Sequence, residues 1–220
     1  MVNMFTKNSC SIKSEFLMAV TEQKATHRDR QKEETRKLIL ASAYTLFQQN
    51  GYDGTTMRQL AGHCGVGLGT LFKHFPDKSA ILVATFEGDI SVVIEQACET
   101  LPKKNVHQQL RHVLLHLYGY YARHQAFSRV LVKESLFLGG PAGDIVHGKT
   151  MAFLDRIAVL FVAAAERREI APIDDAMRPT LAFWSFYLLG LVAGLRDSDF
   201  DVDSMVELVA TLLRDRFPQP

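Results

Sequence analysis

Residues 55–78, Thr-Thr-Met-Arg-Gln-Leu-Ala-Gly-His-Cys-Gly-Val-Gly-Leu-Gly-Thr-Leu-Phe-Lys-His-Phe-Pro-Asp-Lys, carry the pattern that decides the fold of this chain. Thr56 is of a residue type that caps helix N-termini, because its hydroxyl accepts a hydrogen bond from a free backbone N–H of the first turn. Three apolar residues then recur at helical spacing, Met57, Leu60 and Ala61. The stretch is therefore predicted to open with a short amphipathic helix.

A second short helix is predicted after a tight turn. Gly65 tolerates the backbone conformation of such a turn, and Val66 and Leu71 direct apolar side chains back at the first helix. Pro76 stops the second helix, and Asp77 can cap the next one. The segment is a predicted helix-turn-helix, and its second helix has the form that enters a DNA major groove.

Together with the helix before it, this segment resembles the DNA-binding domain of the TetR family of bacterial transcriptional regulators. The resemblance covers about residues 33–80 and includes Phe-Pro-Asp-Lys after the motif. The positions that carry it are Ile39, Ala41, Ala43, Leu46, Phe47, Gly51, Tyr52, Thr55, Thr56, Arg58, Leu60, Ala61, Gly65, Val66, Gly69, Thr70, Leu71, His74, Phe75 and Lys78. The C-terminal two-thirds is similar to the family only in being helical, apolar and of the right length.

Composition agrees with this interpretation but could not replace it. The chain has 220 residues and a net charge of +1, yet residues 1–78 carry +4 and residues 79–220 carry −3. A basic N-terminal part suits DNA, and an acidic remainder avoids phosphate. Three cysteines without CxxC spacing indicate neither a disulfide framework nor a zinc site. We expect no metal and no cofactor, no enzymatic activity, and a cytoplasmic location without membrane contact.

The predicted fold is all-α, with about nine helices in two parts that share helix 4. Helices 2 and 3 are the helix-turn-helix, and helices 4 to 9 are expected at about residues 77–101, 106–124, 127–136, 145–169, 174–196 and 202–217. Residues 1–28 are expected to form a disordered arm, with helix 1 starting near Arg30. Residues 29–78 form the three-helix DNA-binding domain, and residues 79–220 form a helical ligand-binding and dimerisation domain. Residues 139–143 are predicted to be a loop. An alternative for the first segment is a basic arm that reaches the minor groove with Lys24, Arg28 and Arg30.

The resemblance implies a surface for reading DNA. Base-edge contacts come from the exposed start of helix 3, at Leu68, Gly69 and Thr70, and Arg58 is the candidate for a bidentate guanine contact. Phosphate contacts are expected from the N-terminus of helix 4 and from Thr56, Lys73, His74 and Lys78. The alternatives are that Arg58 and Lys73 are ordinary solvated charges, that His74 packs against helix 1, and that Thr56 only caps its helix.

Phe72 departs from the family pattern. The family usually has a tyrosine there, and its hydroxyl usually binds a phosphate. One lost bond of this kind is worth ~1 kcal/mol, so we expect DNA binding to be weakened and not abolished. Gly67 also replaces a frequent serine near the start of helix 3, which removes a possible cap.

The resemblance also implies a small-molecule pocket within helices 4–8. Helix 5 carries three polar side chains on one face, His112, His116 and Tyr120. Facing helices supply apolar and aromatic side chains, namely Phe86, Ile90, Met151, Phe153, Phe183, Trp184 and Tyr187. Such a mixture is typical of a ligand site, and the alternative is an aromatic core without a cavity. His112 and His116 have the spacing of a metal pair, but no third ligand is evident.

Family members usually dimerise through helices 8 and 9. Gly190 and Gly194 are predicted to form a flat strip that lets a second helix approach, and helix 9 adds Met205, Val209 and Leu212. A two-fold dimer suits a pseudo-palindromic operator. The alternative is that these faces pack only within one chain.

Three functions follow from these patterns. The first is a dimeric repressor released from its operator by a small, mostly apolar ligand. The second is an interaction module whose helix-turn-helix has weakened or lost DNA binding, which Phe72 keeps open. The third is a helical enzyme, against which no nucleophile–base set, paired carboxylate or phosphate loop stands out.

Overall fold

The structure is a computed structural model that describes the backbone of residues 8–219, with side chains described for residues 27–86 and 90–219. Within this part of the chain it contains nine α-helices and no strand, which confirms the predicted fold class. The helices are α1 Asn8–Asn50, α2 Met57–Cys64, α3 Leu68–His74, α4 Lys78–Glu99, α5 Val106–Arg123, α6 Gln125–Ser135, α7 Gly140–Glu166, α8 Met177–Arg196 and α9 Val202–Arg216.

α1 starts earlier than the sequence pattern predicts. Its backbone is helical from Asn8, and the expected start was near Arg30, after an arm without regular structure. No glycine or proline lies between Asn8 and Asn50, so no residue in this stretch strongly opposes a helix. Residues 1–7 of the expected arm lie outside the described residues. The predicted stop is confirmed at Gly51, whose φ of 72° is left-handed.

Local caps fix the helix-turn-helix. The Thr56 hydroxyl accepts a hydrogen bond from the backbone N–H of Gln59, and the Gln59 side chain accepts one from the backbone N–H of Thr56. These two reciprocal bonds form a capping box. Gly65 ends α2 with φ 67°, a left-handed conformation that a β-carbon would strain. The Asp77 carboxylate accepts from the N–H of Ala80 and starts α4 as predicted.

A small core holds these helices together. It is formed by fully or almost fully buried side chains from α1 to the start of α4, namely Ile39, Ala43, Phe47, Leu60, Ala61, Leu71, Phe75, Ile81 and Leu82. Because Leu71 and Phe75 face this core, the opposite face of α3 is turned to solvent.

The remaining helices form the body around α5, which packs against α4 and α9, while α8 packs against α7 and α9. Its centre is aromatic, with Tyr118, Phe127, Phe161 and Phe183 fully or almost fully buried. Among the described helices, α8 alone is long and apolar enough to cross a membrane by length and composition, a test that the core helix of a globular body also passes. Of that stretch, 44% is buried inside the fold.

The predicted loop at residues 139–143 belongs mostly to α7, which begins at Gly140. Pro141 lies in the first turn, where its missing N–H has no helical partner to lose. Gly143 is required by close packing, because a β-carbon there would lie 2.1 Å from the carbonyl oxygen of Leu138. These residues therefore begin a helix, although their composition is that of a loop.

Candidate nucleic-acid interface and body cavity

The outer face of α3 is exposed as the helix-turn-helix pattern requires. Leu68, Gly69, Thr70, Phe72 and Lys73 are all accessible to solvent. No side chain caps this helix, since Gly67 occupies the capping position, as the sequence predicts. The face offers backbone and small side chains at its start and a cation near its end. Such a face can lie against base edges and place Lys73 toward a phosphate.

Two α2 residues flank this face. Arg58 is exposed, so its guanidinium is accessible for a base edge or a phosphate. Thr56 is exposed as well, but its hydroxyl lies 2.8 Å from Gln59 Oε1 and 3.2 Å from Gln59 N. Thr56 therefore caps α2 in the free protein, whether or not it also contacts a phosphate.

His74 lies near three charged side chains of α1. Burial, with the nearby positive charges of Lys32 and Arg36, lowers the pKa of His74, and Glu33 opposes this. The Arg36 guanidinium also lies 5.2 Å from the centre of the Phe75 ring. α1 thus adds two cations beside α3, Lys32 and Arg36, that the helix-turn-helix pattern does not predict. Their i, i+4 spacing on helix 1 was the available signal.

Lys78 has a structural role beside its predicted phosphate contact. Its ammonium donates to the Tyr52 carbonyl oxygen at 2.6 Å and lies 4.0 Å from the centre of the Tyr52 ring. These contacts fasten the start of α4 to the turn after α1. The first turn of α4 also already holds an anion, since Asp77 accepts from the N–H of Ala80 and from the Ser79 hydroxyl. This reduces the capacity of the α4 N-terminus for phosphate.

The body contains a cavity of about 380 Å³ between α4, α5, α6, α7 and α8. Its wall includes five of the ten residues predicted for the ligand site, namely Phe86, Ile90, Phe153, Trp184 and Tyr187. Other apolar residues complete it, including Val83, Ile94, Leu117, Leu131, Leu188 and Leu191. Besides Tyr187, its polar side chains are Tyr121, Ser135, His147, Lys149 and Thr150. An apolar wall with a few polar groups is typical of small-molecule sites.

The other five predicted residues do not line this cavity. His112 and His116 pack on each other with ring centres 4.3 Å apart, and His112 Nε2 lies 3.0 Å from the Thr100 hydroxyl. Tyr120 packs against Phe86 and His124. Phe183 is buried in the core, and Met151 packs against it.

The cavity face of α5 is one residue further along than predicted. Leu117 and Tyr121 line the wall, whereas His116 packs on His112 of the same helix and Tyr120 packs against Phe86 and His124. The helical period identifies which residues share a face, but adjacent faces differ by only one residue, so the pattern could not choose between them.

The predicted dimer strip on α8 is internal. A β-carbon on Gly190 would lie 2.5 Å from the Tyr118 hydroxyl and 2.7 Å from Val209 Cγ2, and one on Gly194 would lie 2.2 Å from Phe200. The two glycines therefore let α5, α9 and Phe200 approach α8 within the same chain. Val209 is fully buried there, while Met205 and Leu212 are half-buried. The alternative of packing within one chain holds for Gly190, Gly194 and Val209.

A different face of α8 and α9 is apolar and exposed. It consists of Leu181, Leu189 and Val192 on α8 and Leu208 on α9. The glycine spacing predicted the opposite side of α8 as the interface, so these residues were not predicted from the sequence.

Comparison with known proteins agrees with this architecture. Residues 39–85 match the family described as "Bacterial regulatory proteins, tetR family". The transcriptional repressor KstR of Rhodococcus jostii (strain RHA1) is 28% identical over 184 residues, which is 82% of each chain. The regulator SAB2452 of Staphylococcus aureus (strain bovine RF122 / ET3-1) is 35% identical over 63 residues, and the match spans 29% of this chain and 34% of that one.

A solved structure has the same fold. The transcriptional regulator FadR from Bacillus subtilis, in complex with stearoyl-CoA, aligns with a TM-score of 0.69 and 18% identity over 80% of this chain and 96% of its own. One assignment follows from three observations. They are the exposed face of α3, which we call the reading helix, the family match at residues 39–85 and the shared all-helical fold. Residues 39–85 match the DNA-binding domain of the TetR family, and the chain is a DNA-binding transcriptional regulator.

Proposed function

We propose that this chain acts as a dimeric repressor that leaves a pseudo-palindromic operator when a small, mostly apolar ligand fills the body cavity. One observation carries the proposal: α4 belongs to both sites. It begins at Lys78, shortly after α3 ends at His74, and it supplies Val83, Phe86, Ile90 and Ile94 to the cavity wall. A molecule in the cavity therefore touches α4, the helix that sets the position of the DNA-binding domain at residues 29–78, which we call the reading head.

The ligand is proposed from the chemistry of the wall. Aliphatic and aromatic side chains dominate it, which favours a hydrocarbon chain or ring system. FadR from Bacillus subtilis is described in complex with stearoyl-CoA, a molecule with a long apolar chain. We extend the same general class, a largely apolar acyl or similar ligand, to this chain.

Release follows from differential binding to two states. Two reading helices bind adjacent major grooves when they are ~34–36 Å apart. A ligand that prefers a different position of α4 changes this separation, and it weakens DNA binding by as much as its own affinity differs between the states.

Dimerisation is proposed through the exposed apolar face of α8 and α9 defined by Leu181, Leu189, Val192 and Leu208. Two copies that bury this face around a two-fold axis form a four-helix interface. The two copies then present two reading heads to the two halves of an operator.

The division of labour in the chain follows. Residues 29–78 form the head, and residues 79–220 form the body that binds ligand and partner. We assign the protein to the cytoplasm, where its DNA is, and we assign it no catalytic step.

Selection from a random duplex pool at low ionic strength tests the DNA assignment. We expect enrichment of a pseudo-palindrome and a steep loss of affinity with added salt. Lys73→Ala should reduce the salt slope by about one, whereas Lys104→Ala, a charge-matched change on the body, should leave it unchanged. If nothing is enriched or retained, the regulator proposal fails and the interaction module takes its place.

The selected duplex then serves to test release. Lauroyl-CoA and stearoyl-CoA should dissociate the complex, and free coenzyme A, which lacks the apolar chain, should not. If DNA binding is sound but no acyl compound releases it, the repressor remains and the proposed ligand class is wrong.

A further inference from the structure

One face of α1 changes from apolar to basic along the helix. Ile39 and Ala43 are fully buried in the core that joins α1 to the helix-turn-helix. The same face continues toward the N-terminus with Arg36, Lys32 and Arg28, because residues three or four positions apart lie above one another on a helix. We call these three cations the basic row. They lie on the side of α1 that faces the core further along the chain.

The basic row begins beside the end of α3. The Arg36 guanidinium lies 5.2 Å from the centre of the Phe75 ring, and Phe75 directly follows α3. Burial and then the charges of Lys32 and Arg36 lower the pKa of His74, the last residue of α3, which agrees with this placement. Because a helix rises 1.5 Å per residue, Arg28 lies about 12 Å beyond Arg36 along the axis of α1. The row therefore starts at the reading helix and extends away from it.

No described side chain neutralises the basic row. Its first two cations are exposed and the third is half-buried, and none forms an ion pair with a described residue. Asp29 and Glu33 border the row, three residues before Lys32 and Arg36, but they do not pair with these cations. Residues 28–37 keep a charge of +2, from five cations and three carboxylates. Like charges four residues apart on a helix repel each other, so an anionic partner would stabilise the row.

We infer that the basic row binds the phosphate backbone of DNA beside the base pairs that α3 reads. DNA is the partner of this chain, and its backbone presents anions in a row. The three cations span about 12 Å along α1, which corresponds to about four base pairs at 3.4 Å each. Phosphate contacts add affinity and fix the register of a protein on the duplex without reading sequence. The inference goes beyond the proposed function, because it adds a second DNA-binding surface outside the helix-turn-helix.

The helical form of α1 decides between the backbone and the minor groove. The chain is helical from Asn8, so Arg28 belongs to a helix and not to an extended arm. A helix with its side chains is about 10–12 Å across, whereas the minor groove is about 6 Å wide. α1 is therefore too wide to enter that groove, and its cations meet the phosphates outside it.

Two double variants with the same change in charge test this surface. The row variant combines Arg28→Gln with Lys32→Gln and keeps Arg36, which is half-buried. The control variant combines Arg30→Gln with Lys37→Gln, two exposed cations that lie two turns apart on the opposite side of the same helix. Neither variant alters a buried side chain, so thermal denaturation should give equal melting temperatures for both and for wild type.

The salt dependence of operator binding, followed by fluorescence anisotropy with the full chain and the selected duplex, gives the first readout. The row variant should reduce the salt slope by about two per protomer, because each lost phosphate contact removes about one. The control variant should keep the slope of wild type, since its cations face away from the duplex. An equal loss of slope in the two variants would mean general attraction by charge and would overturn the inference.

The length of the duplex gives the second readout. The selected operator is compared in two forms, one trimmed to its palindrome and one extended on each side by about ten base pairs, one helical turn. At low salt, wild type and the control variant should bind the extended form about tenfold more tightly, and the row variant should bind both forms equally. A wild-type chain without this preference would contradict a flanking contact.

The composition of the added base pairs separates the backbone from the minor groove. Flanks of A·T and of G·C should support binding equally, because phosphates carry no sequence information. A preference for A·T flanks would place the row in the minor groove and would overturn the backbone assignment. If the operator is bound and is released by lauroyl-CoA while the row variant behaves as wild type, the proposed function stands and only the flanking contact is wrong. If no duplex is retained at all, both fail together.

Discussion

The Tyr44 hydroxyl on α1 lies 2.8 Å from His124 Nδ1 at the junction of α5 and α6, and this contact joins the head to the body. The Tyr44 ring also packs on Phe127, with ring centres 4.9 Å apart. From His124 the aromatic contacts continue to Tyr120 at 5.3 Å and from Tyr120 to Phe86 at 5.8 Å, and Phe86 lines the cavity. A continuous row of packed rings therefore runs from the body cavity to α1, which packs against α2 and α4.

Tyr44→Phe is predicted to lower the free energy of unfolding by about 1 kcal/mol, because it removes one partly buried hydrogen bond and retains the ring packing. Thermal denaturation followed by circular dichroism measures this. Thr45→Ala is the matched control on the same helix, since it removes an exposed hydroxyl that bonds only the carbonyl of its own helix at Ala41. Equal melting temperatures for the two variants would contradict a stabilising link between Tyr44 and His124.

Acidification is predicted to tighten DNA binding through His74. Burial and the charges of Lys32 and Arg36 hold the pKa of His74 below its usual 6.5 in the free protein. A DNA phosphate near this cluster favours the imidazolium and raises the pKa in the complex, so the complex binds more protons than the free protein. Affinity should therefore rise as the pH falls from neutral through 6.5 toward the lowered pKa of the free protein.

Binding titrations at constant ionic strength, for wild type and His74→Gln, measure this effect. The variant should lose the part of the pH dependence that belongs to His74, while its affinity at neutral pH changes little. Identical pH profiles for the two proteins would remove His74 from the phosphate contacts and leave only its packing against α1.

Local chemistry was predictable from the sequence, and the choice between helix faces was not. Thr56, Gly65 and Asp77 act within a few residues of chain, so their caps could be predicted from residue type. Gly190 packs against Tyr118 and Val209, which are distant in sequence, so residue type alone could not identify its neighbours. Periodicity defines a stripe on a helix but does not say which neighbour that stripe meets.

Phe72→Tyr is predicted to strengthen operator binding by about fivefold or less. The ring lies on the exposed face of α3, with 47% of the residue accessible, so an added hydroxyl meets solvent in the free protein and is available to a phosphate in the complex. Thermal stability should remain the same, because no core contact changes. Fluorescence anisotropy with the selected duplex measures affinity, and weaker or unchanged binding would mean that this ring does not face the DNA backbone.

Adjacent residues on α8 give opposite predictions. Gly190→Ala should destabilise the fold by about 1–3 kcal/mol, because the new methyl group would overlap the Tyr118 hydroxyl and Val209 in a packed core. Leu189 is 53% exposed and belongs to the apolar face proposed for dimerisation. Leu189→Glu should therefore leave the fold of each chain intact but separate the dimer, because it places a charge in the centre of an apolar interface.

Sedimentation velocity and thermal denaturation of both variants, with wild type alongside, test this pair. Leu189→Glu should sediment as a monomer and bind the operator more weakly, since the paired reading heads are lost. Gly190→Ala should melt earlier while remaining dimeric as long as it is folded. If Gly190→Ala instead separated the dimer without loss of stability, the glycine strip would face the partner subunit, and the exposed leucines would have to serve another surface.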